Sequence, residues 1–316
     1  MADQRSSRGS AKLASAGVGL LIGGVAAAFV IRTVLRDWTE IEDALRGASP
    51  GWLFGAAGLA AVGMTAIAVP WRRALNLLGA DLPMGQLVAR YYVGEIGKYL
   101  PGGVWPILGR GELARRRGVR RSAAYGSVAL SLVALYLGAM FVVGAGLPAL
   151  LAGGDGAGPI GVLLLLPIGL ACLHPRVLSL GISALERVTH RSLDLPIPSW
   201  RDSVTLVGLY VPAWLAIGGA TWAVSRALDP HAGLIVVGTA AVLSWVVGFV
   251  LVPVPGGVGV REAAFVAAAG SLDPGIAAAT ALAARVLFVA VDGLGAVAGS
   301  LALRGRAPDA PQAEPG

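Results

Sequence analysis

The sequence predicts an all-α integral membrane protein, a polytopic helical bundle of about eight membrane segments, two of them broken or re-entrant. Three observations lead there. The 316 residues are 56% hydrophobic and only 14% charged, with a mean hydropathy of +0.73, whereas soluble domains carry about a quarter charged residues. The apolar residues fall into runs long enough to cross a ~30 Å hydrocarbon core. One phrase, Pro-Gly-Gly-Val, occurs twice, at Pro101–Val104 and Pro255–Val258, each time interrupting an apolar stretch and leading into charge.

The first run, Leu13 to Ile31, is too long for a cleaved signal peptide, and Arg32-Thr33-Val34 offers no small-residue cleavage site. It reads as a retained span at 13–32. Further spans are expected at 51–70, 122–149, 159–174, 203–226, 232–252 and 275–303. The segments 84–109 and 254–272 are apolar but broken by the Pro-Gly-Gly phrases. A break exposed to lipid would leave peptide groups without partners, so these two must line a cavity or pack inside protein. Re-entrant hairpin and broken span both satisfy that requirement. Residues 1–12 read as a cytoplasmic tail, 13–303 as one transmembrane domain, and 304–316 as a disordered Pro/Ala-rich tail.

Orientation follows from the basic residues. With the N-terminus in the cytoplasm, 17 Lys and Arg fall inside, including Arg72, Arg73, Arg110 and the run from Arg115 to Arg121. Four fall outside (Arg32, Arg36, Arg46, Arg226) and four within broken or apolar segments (Arg90, Lys98, Arg261, Arg285). This arrangement requires 84–109 to return to the side it entered and 254–272 to cross once. The run Arg115-Arg116-Arg117-Gly118-Val119-Arg120-Arg121 reads as a topology anchor on anionic headgroups. Between the halves, Ser179, Ser183, Glu186 and His190 recur at helical spacing opposite Leu178, Ile182 and Leu185. That pattern predicts an amphipathic surface helix over 175–191. Arginine outnumbers lysine 23 to 2, which with abundant Ala and Gly points to a GC-rich bacterial genome and hence to a bacterial cytoplasmic membrane. The net charge of +7 is explained by these loops, not by nucleic acid.

The candidate site lies at the breaks. Proline ends one helix or opens the next, and paired glycines let another group approach the backbone. A helix starting beyond them offers free N–H groups and a positive dipole end, a seat for phosphate or carboxylate. Paired interrupted segments in two halves of a membrane protein point to a substrate site between them. The residues singled out for binding are Gly102, Gly103 and Arg110 at the first break, and Gly256, Gly257, Arg261 and Glu262 at the second. Arg285 and Asp292 join them from one face of the last span. Ionisable groups at membrane depth cost roughly 2.5–3.5 kcal/mol each and default to function. A purely structural alternative stays open: Arg285 and Asp292 could pair with Glu262 and Arg261 as an interior lock. Glu95 and Lys98 face the same choice, and Arg90 is expected to snorkel to the interface. Three scattered histidines near no acidic pair and a single cysteine, Cys172, give no basis for a metal, a cofactor or a catalytic centre. No Walker, Rossmann or nucleophile-elbow pattern is present.

These residues carry a resemblance. Gly97-Lys98-Tyr99-Leu100-Pro101-Gly102-Gly103-Val104-Trp105, with Gly109-Arg110 and the Arg-rich run, resembles the first signature of the lysylphosphatidylglycerol synthase transmembrane region, or flippase-like, family. Pro253-Val254-Pro255-Gly256-Gly257-Val258-Gly259-Val260-Arg261-Glu262-Ala263 resembles its second. The likeness in layout extends over about 13–303, without the soluble aminoacyl-transferase domain of fused members. The chain departs from the family in one respect: 122–149 carries no acidic residue, where many members have one. The resemblance implies a polytopic fold and a role in moving lipids or lipid-linked molecules. The expected partner is thus a membrane phospholipid or polyprenyl-linked lipid. Two alternatives are a non-catalytic accessory subunit of a glycosyltransferase or lipid-modifying enzyme, and a membrane-embedded transferase.

Overall fold

The computed structural model describes residues 46–100, 104–152, 165–190, 192–250, 257 and 259–304, and every regular element among them is helical. The chain runs α1 (Pro50–Ala66), α2 (Ala68–Leu77), α3 (Met84–Glu95), a 3-10 turn (Ile96–Tyr99), α4 (Trp105–Arg115), α5 (Arg121–Ala152) and α6 (Leu165–Cys172). It continues with α7 (Pro175–Thr189), α8 (Trp200–Leu228), α9 (Leu234–Val250), α10 (Val260–Ala268) and α11 (Pro274–Arg304). Four stretches are long and apolar enough to cross a membrane: 50–77, 121–152, 200–228 and 274–304. α9 is a shorter apolar helix, and α6 and α7 form a pair bent by 67°. The expected span at 13–32 lies outside the described residues, as does the 159–164 part of the span expected at 159–174.

Local chemistry sets the helix ends. Pro50, Pro175 and Pro274 open their helices, where a missing N–H costs nothing. Ser199 caps α8 by accepting from Asp202 N at 3.1 Å, and Asp273 accepts from Gly275 N at 2.8 Å ahead of α11. Pro148 and Pro212 lie inside α5 and α8, as membrane helices tolerate when neighbours cover the freed carbonyl. α7 ends at His190 in the left-handed region, φ 51°. A helix thus stands where the amphipathic one was expected, with Val177, Leu180 and Val188 exposed along it.

α8 is the hub of the bundle, packed against α1, α5, α9 and α11. It approaches α9 tightly: a Cβ on Gly218 would lie 2.9 Å from the Gly238 carbonyl oxygen, the small-residue contact on which membrane helices rely. Trp214 is buried where α8 meets α5, its indole donating to Leu135 O at 2.7 Å.

Ion pairs gather the basic loops at one end of the bundle. Arg72 holds Asp81 at 2.9 Å, Arg73 holds Asp202 at 2.7 Å, and Arg120 holds Asp194 at 3.1 Å. The Arg72 guanidinium keeps the Asp81 carboxyl below its ordinary range. At the other end Ser49 N donates to Ala227 O, and Trp52 packs edge-on against Trp222. The one-sided collection of arginines matches the asymmetry read from the loops.

Each Pro-Gly-Gly phrase lies, in the sequence, between two helices that pack against each other. α3 leaves the basic end, and α4 runs back along it: Gly97 meets Trp105, Gly94 meets Arg110, and Arg90 Nε donates to Leu113 O at 3.0 Å. α9 starts at the opposite end, and α10 doubles back on it, with Arg261 lying against Gly248 and Trp245. Of the segment 254–272, expected to cross once, 254–256 and 258 lie outside the described residues; the helix within it, α10, is nine residues long and packs against α9. α11 then runs past both hairpins toward the basic end, where Gly299 abuts Ala89 of α3.

Candidate functional site

Small residues make the first hairpin tight. A Cβ on Gly94 would stand 2.8 Å from Arg110 N and one on Gly109 would stand 3.2 Å from Gly94 Cα, so the two helices touch backbone to backbone. This crossing carries Arg110 inward, to 1% exposure. Its guanidinium sits between the rings of Trp71 and Tyr91, at 5.5 and 5.6 Å, and its Nε is 3.7 Å from Glu95 Oε2. Arg110 was counted with the cytoplasmic loop because it follows the break; the 11-residue α4 instead returns it to the core. Arg90 does not snorkel either. It is buried and donates to Leu113 O and Gln86 O, stitching the hairpin together.

The 3-10 turn before the first tip delivers Lys98 and Tyr99 to α11. Lys98 Nζ lies 2.6 Å from Asp292 Oδ2 and 3.9 Å from Glu95 Oε1. The Tyr99 hydroxyl donates to the same Asp292 oxygen at 2.7 Å. Asp292 has no exposed surface, and its Oδ1 has no hydrogen-bond partner. Half of the proposed lock is thereby corrected. Asp292 pairs with Lys98, not with Arg261, because the seven-residue spacing from Arg285 places it opposite the first hairpin.

The other half of the lock is present. Arg285 hydrogen-bonds Glu262 in a partly buried ion pair, and Glu262 Oε2 also accepts from Gly259 N at 2.7 Å, tying off the start of α10. Gly257 and Gly259 hold φ of 65° and 80°, a region that side chains other than glycine enter at a cost. Gly257 and Gly248 flank the Arg261 side chain so closely that neither has room for a Cβ. The Arg261 guanidinium is stacked 3.5 Å from the centroid of Trp245. Its Nε is buried without a hydrogen-bond partner, and no carboxylate among the described residues stands within ion-pair distance of it. Gly102, Gly103 and Gly256 lie outside the described residues.

Trp245 is where the two hairpins meet, since Lys98 Nζ lies 5.6 Å from the same ring. A cavity of about 20 Å³ opens there, lined by Trp245, Arg261, Glu262, Arg285, Ser244 and Thr221 among others, enough for about one water. Four cations (Lys98, Arg110, Arg261, Arg285) face three carboxylates (Glu95, Glu262, Asp292), leaving one positive charge in excess. Trp245 was not among the residues singled out. Its signal was a lone tryptophan in the apolar run eight residues before Pro253, easily read as packing.

The fold and this buried ion cluster define a multi-pass helical membrane protein built around two opposed hairpins. Residues 17–299 match the model of the family described as the lysylphosphatidylglycerol synthase TM region, and the chain belongs to that family. No curated protein matches the chain.

Proposed function

We propose that this protein carries an anionic membrane lipid, either a phospholipid or a polyprenyl-linked intermediate, between the leaflets of a bacterial cytoplasmic membrane, and catalyses no covalent step. In this reading the N-terminus and the basic end face the cytoplasm, and the two hairpins re-enter from opposite faces. Lys98, Trp245 and Arg261, beside the breaks, form the seat for the headgroup.

The observation that carries the proposal is Arg261. Removing a guanidinium from water is expensive unless a counter-charge repays it. Arg285 has Glu262, Lys98 has Asp292, and Arg110 faces Glu95, but Arg261 has only an aromatic face, which contributes about 0.5–2 kcal/mol. An anionic headgroup supplies the missing charge. Arg261 lies in the first turn of α10, where free N–H groups favour the same ligand. A scaffold subunit for a glycosyltransferase or other lipid-modifying enzyme has no need of an uncompensated cation in its interior.

Reconstitution tests the proposal. Vesicles holding the protein and a fluorescent phosphatidylglycerol, or a fluorescent polyprenyl phosphate, are treated with dithionite, which quenches only the outer leaflet. Carriage predicts that label from the inner leaflet becomes quenchable faster than in protein-free vesicles. Equal rates with every anionic lipid tried would remove the transport reading and leave the scaffold.

A further inference from the structure

Lys98 occupies a position that the headgroup seat alone does not explain. It stands between two carboxylates, 2.6 Å from Asp292 and 3.9 Å from Glu95, and its ammonium is also 5.6 Å from the ring on which Arg261 is stacked. It therefore faces its present partner and the proposed anion seat at once. Lysine's ammonium is a compact charge on a flexible stem, so a small rotation exchanges one for the other. Asp292 has no such freedom. It is fully buried, one of its oxygens has no partner, and the other is shared by Lys98 and Tyr99.

The charged and titratable groups facing Asp292 are few. The 3-10 turn presents Lys98 and Tyr99; α3 presents Glu95 and the phenols of Tyr91 and Tyr92. α10 contributes Arg261 and Glu262 at the far side of Tyr99 and Trp245, and α11 itself contributes Arg285 two turns back. α1 has no charged residue, and the charges of α8 lie at its ends. Lys98 is thus the only cation in ion-pair contact with Asp292 among the described residues. Drawing it away would leave a buried carboxylate uncompensated, at a cost of several kcal/mol; such a group neutralises instead.

We propose that the Lys98–Asp292 pair couples headgroup binding to proton uptake, so that one anionic headgroup enters the seat together with one proton. This rests on the anionic-lipid reading above. The anion draws Lys98 toward Trp245 and Arg261, and the Asp292 carboxylate takes a proton from water to become a carboxylic acid. No bond other than O–H forms and no electrons are transferred. One negative and one positive charge enter together, so the site's net charge is the same before and after. Tyr99 is a positioning residue that holds Asp292 in place during the exchange.

Proton counting in weakly buffered detergent solution tests this. Dihexanoylphosphatidylglycerol, a soluble anionic phospholipid, is titrated into the protein; calorimetry reads binding and a pH-indicator dye reads protons. The expected result is about one proton taken up per lipid bound. D292N should bind the lipid with uptake lost, and D292E should restore uptake, which separates coupling from misfolding. Binding by the wild type without uptake, or undiminished uptake in D292N, overturns the coupling and leaves the headgroup seat standing. Absence of wild-type binding overturns both. Dihexanoylphosphatidylcholine, whose headgroup is neutral overall, should release or take up no protons; uptake with this lipid would also overturn the coupling.

Discussion

The two hairpins begin from the same phrase and end in different chemistry. In the first, every charge has an answer: Arg90 in main-chain carbonyls, Arg110 in an aromatic slot facing Glu95, and Lys98 in Asp292. In the second, Glu262 is spent on Arg285 and on the start of α10, and Arg261 is left on a tryptophan face. The backbone differs as well. The first hairpin closes main chain against main chain at Gly94 and Gly109, whereas the second closes its glycines around the Arg261 side chain. On the proposed reading, similar sequence breaks serve opposite ends, one holding the fold and the other holding a charge for a ligand.

The sharpest way to break this comparison is to remove one charge from each hairpin's network. Asp292→Ala leaves Lys98 buried without its counter-ion, and losing one partner of a buried pair costs about 3–5 kcal/mol. Arg261→Gln strands no carboxylate, so its cost should stay below about 1 kcal/mol while lipid binding is lost. Denaturation in detergent, followed by tryptophan fluorescence, reads both. Equal destabilisation by the two variants would mean that Arg261 is as structural as Asp292.

The glycines sharpen the same contrast at smaller scale. Gly94→Ala places a Cβ against the Arg110 backbone, which cannot yield, and overpacking of this kind costs about 1–3 kcal/mol. Gly248→Ala meets the Arg261 side chain instead, which can be displaced. The expected outcome is a smaller stability loss than Gly94→Ala, with anionic-lipid affinity reduced at least tenfold. A Gly248→Ala protein that binds as the wild type does would place the seat elsewhere.

The smallest expected effect lies outside the membrane-spanning helices, where α4 ends. Hydrogen bonds from Arg115 and Arg116 hold the Glu112 carboxyl down to about 2, from an ordinary 4.5. A depressed carboxyl contributes stability above its unfolded value and loses it as pH falls through the folded one. The wild type and Glu112→Gln should therefore differ slightly in thermal midpoint at pH 6 and converge as pH drops from 4.5 toward 2. A difference that persists at pH 2 would show that the carboxylate's charge is not its cause.

The bundle was legible in the sequence because hydropathy and span length are local properties; 51–70, 122–149, 203–226 and 275–303 all appear with only modest shifts at their ends. The Glu262–Arg285 pair was also within reach, as both lie in the second half and each needed a counter-charge. The Lys98–Asp292 pair was not, because it joins residues almost two hundred positions apart, and nothing in spacing states which hairpin a helix face will meet. Arg110 was misplaced for a related reason. Charge counting assigns an arginine to the nearest loop, and only the depth of the hairpin shows that it has turned inward. Trp245 drew no notice because a tryptophan in an apolar run gains meaning only when cations stack upon it.

The most direct test of the central claim compares the wild type, Arg261→Gln and Arg73→Gln in the dithionite assay with fluorescent phosphatidylglycerol. Arg73 pairs with Asp202 at the exposed basic end and controls for loss of one arginine. The free-cation account predicts rapid equilibration by the wild type and Arg73→Gln and a rate near that of empty vesicles for Arg261→Gln. Wild-type equilibration by Arg261→Gln would contradict it.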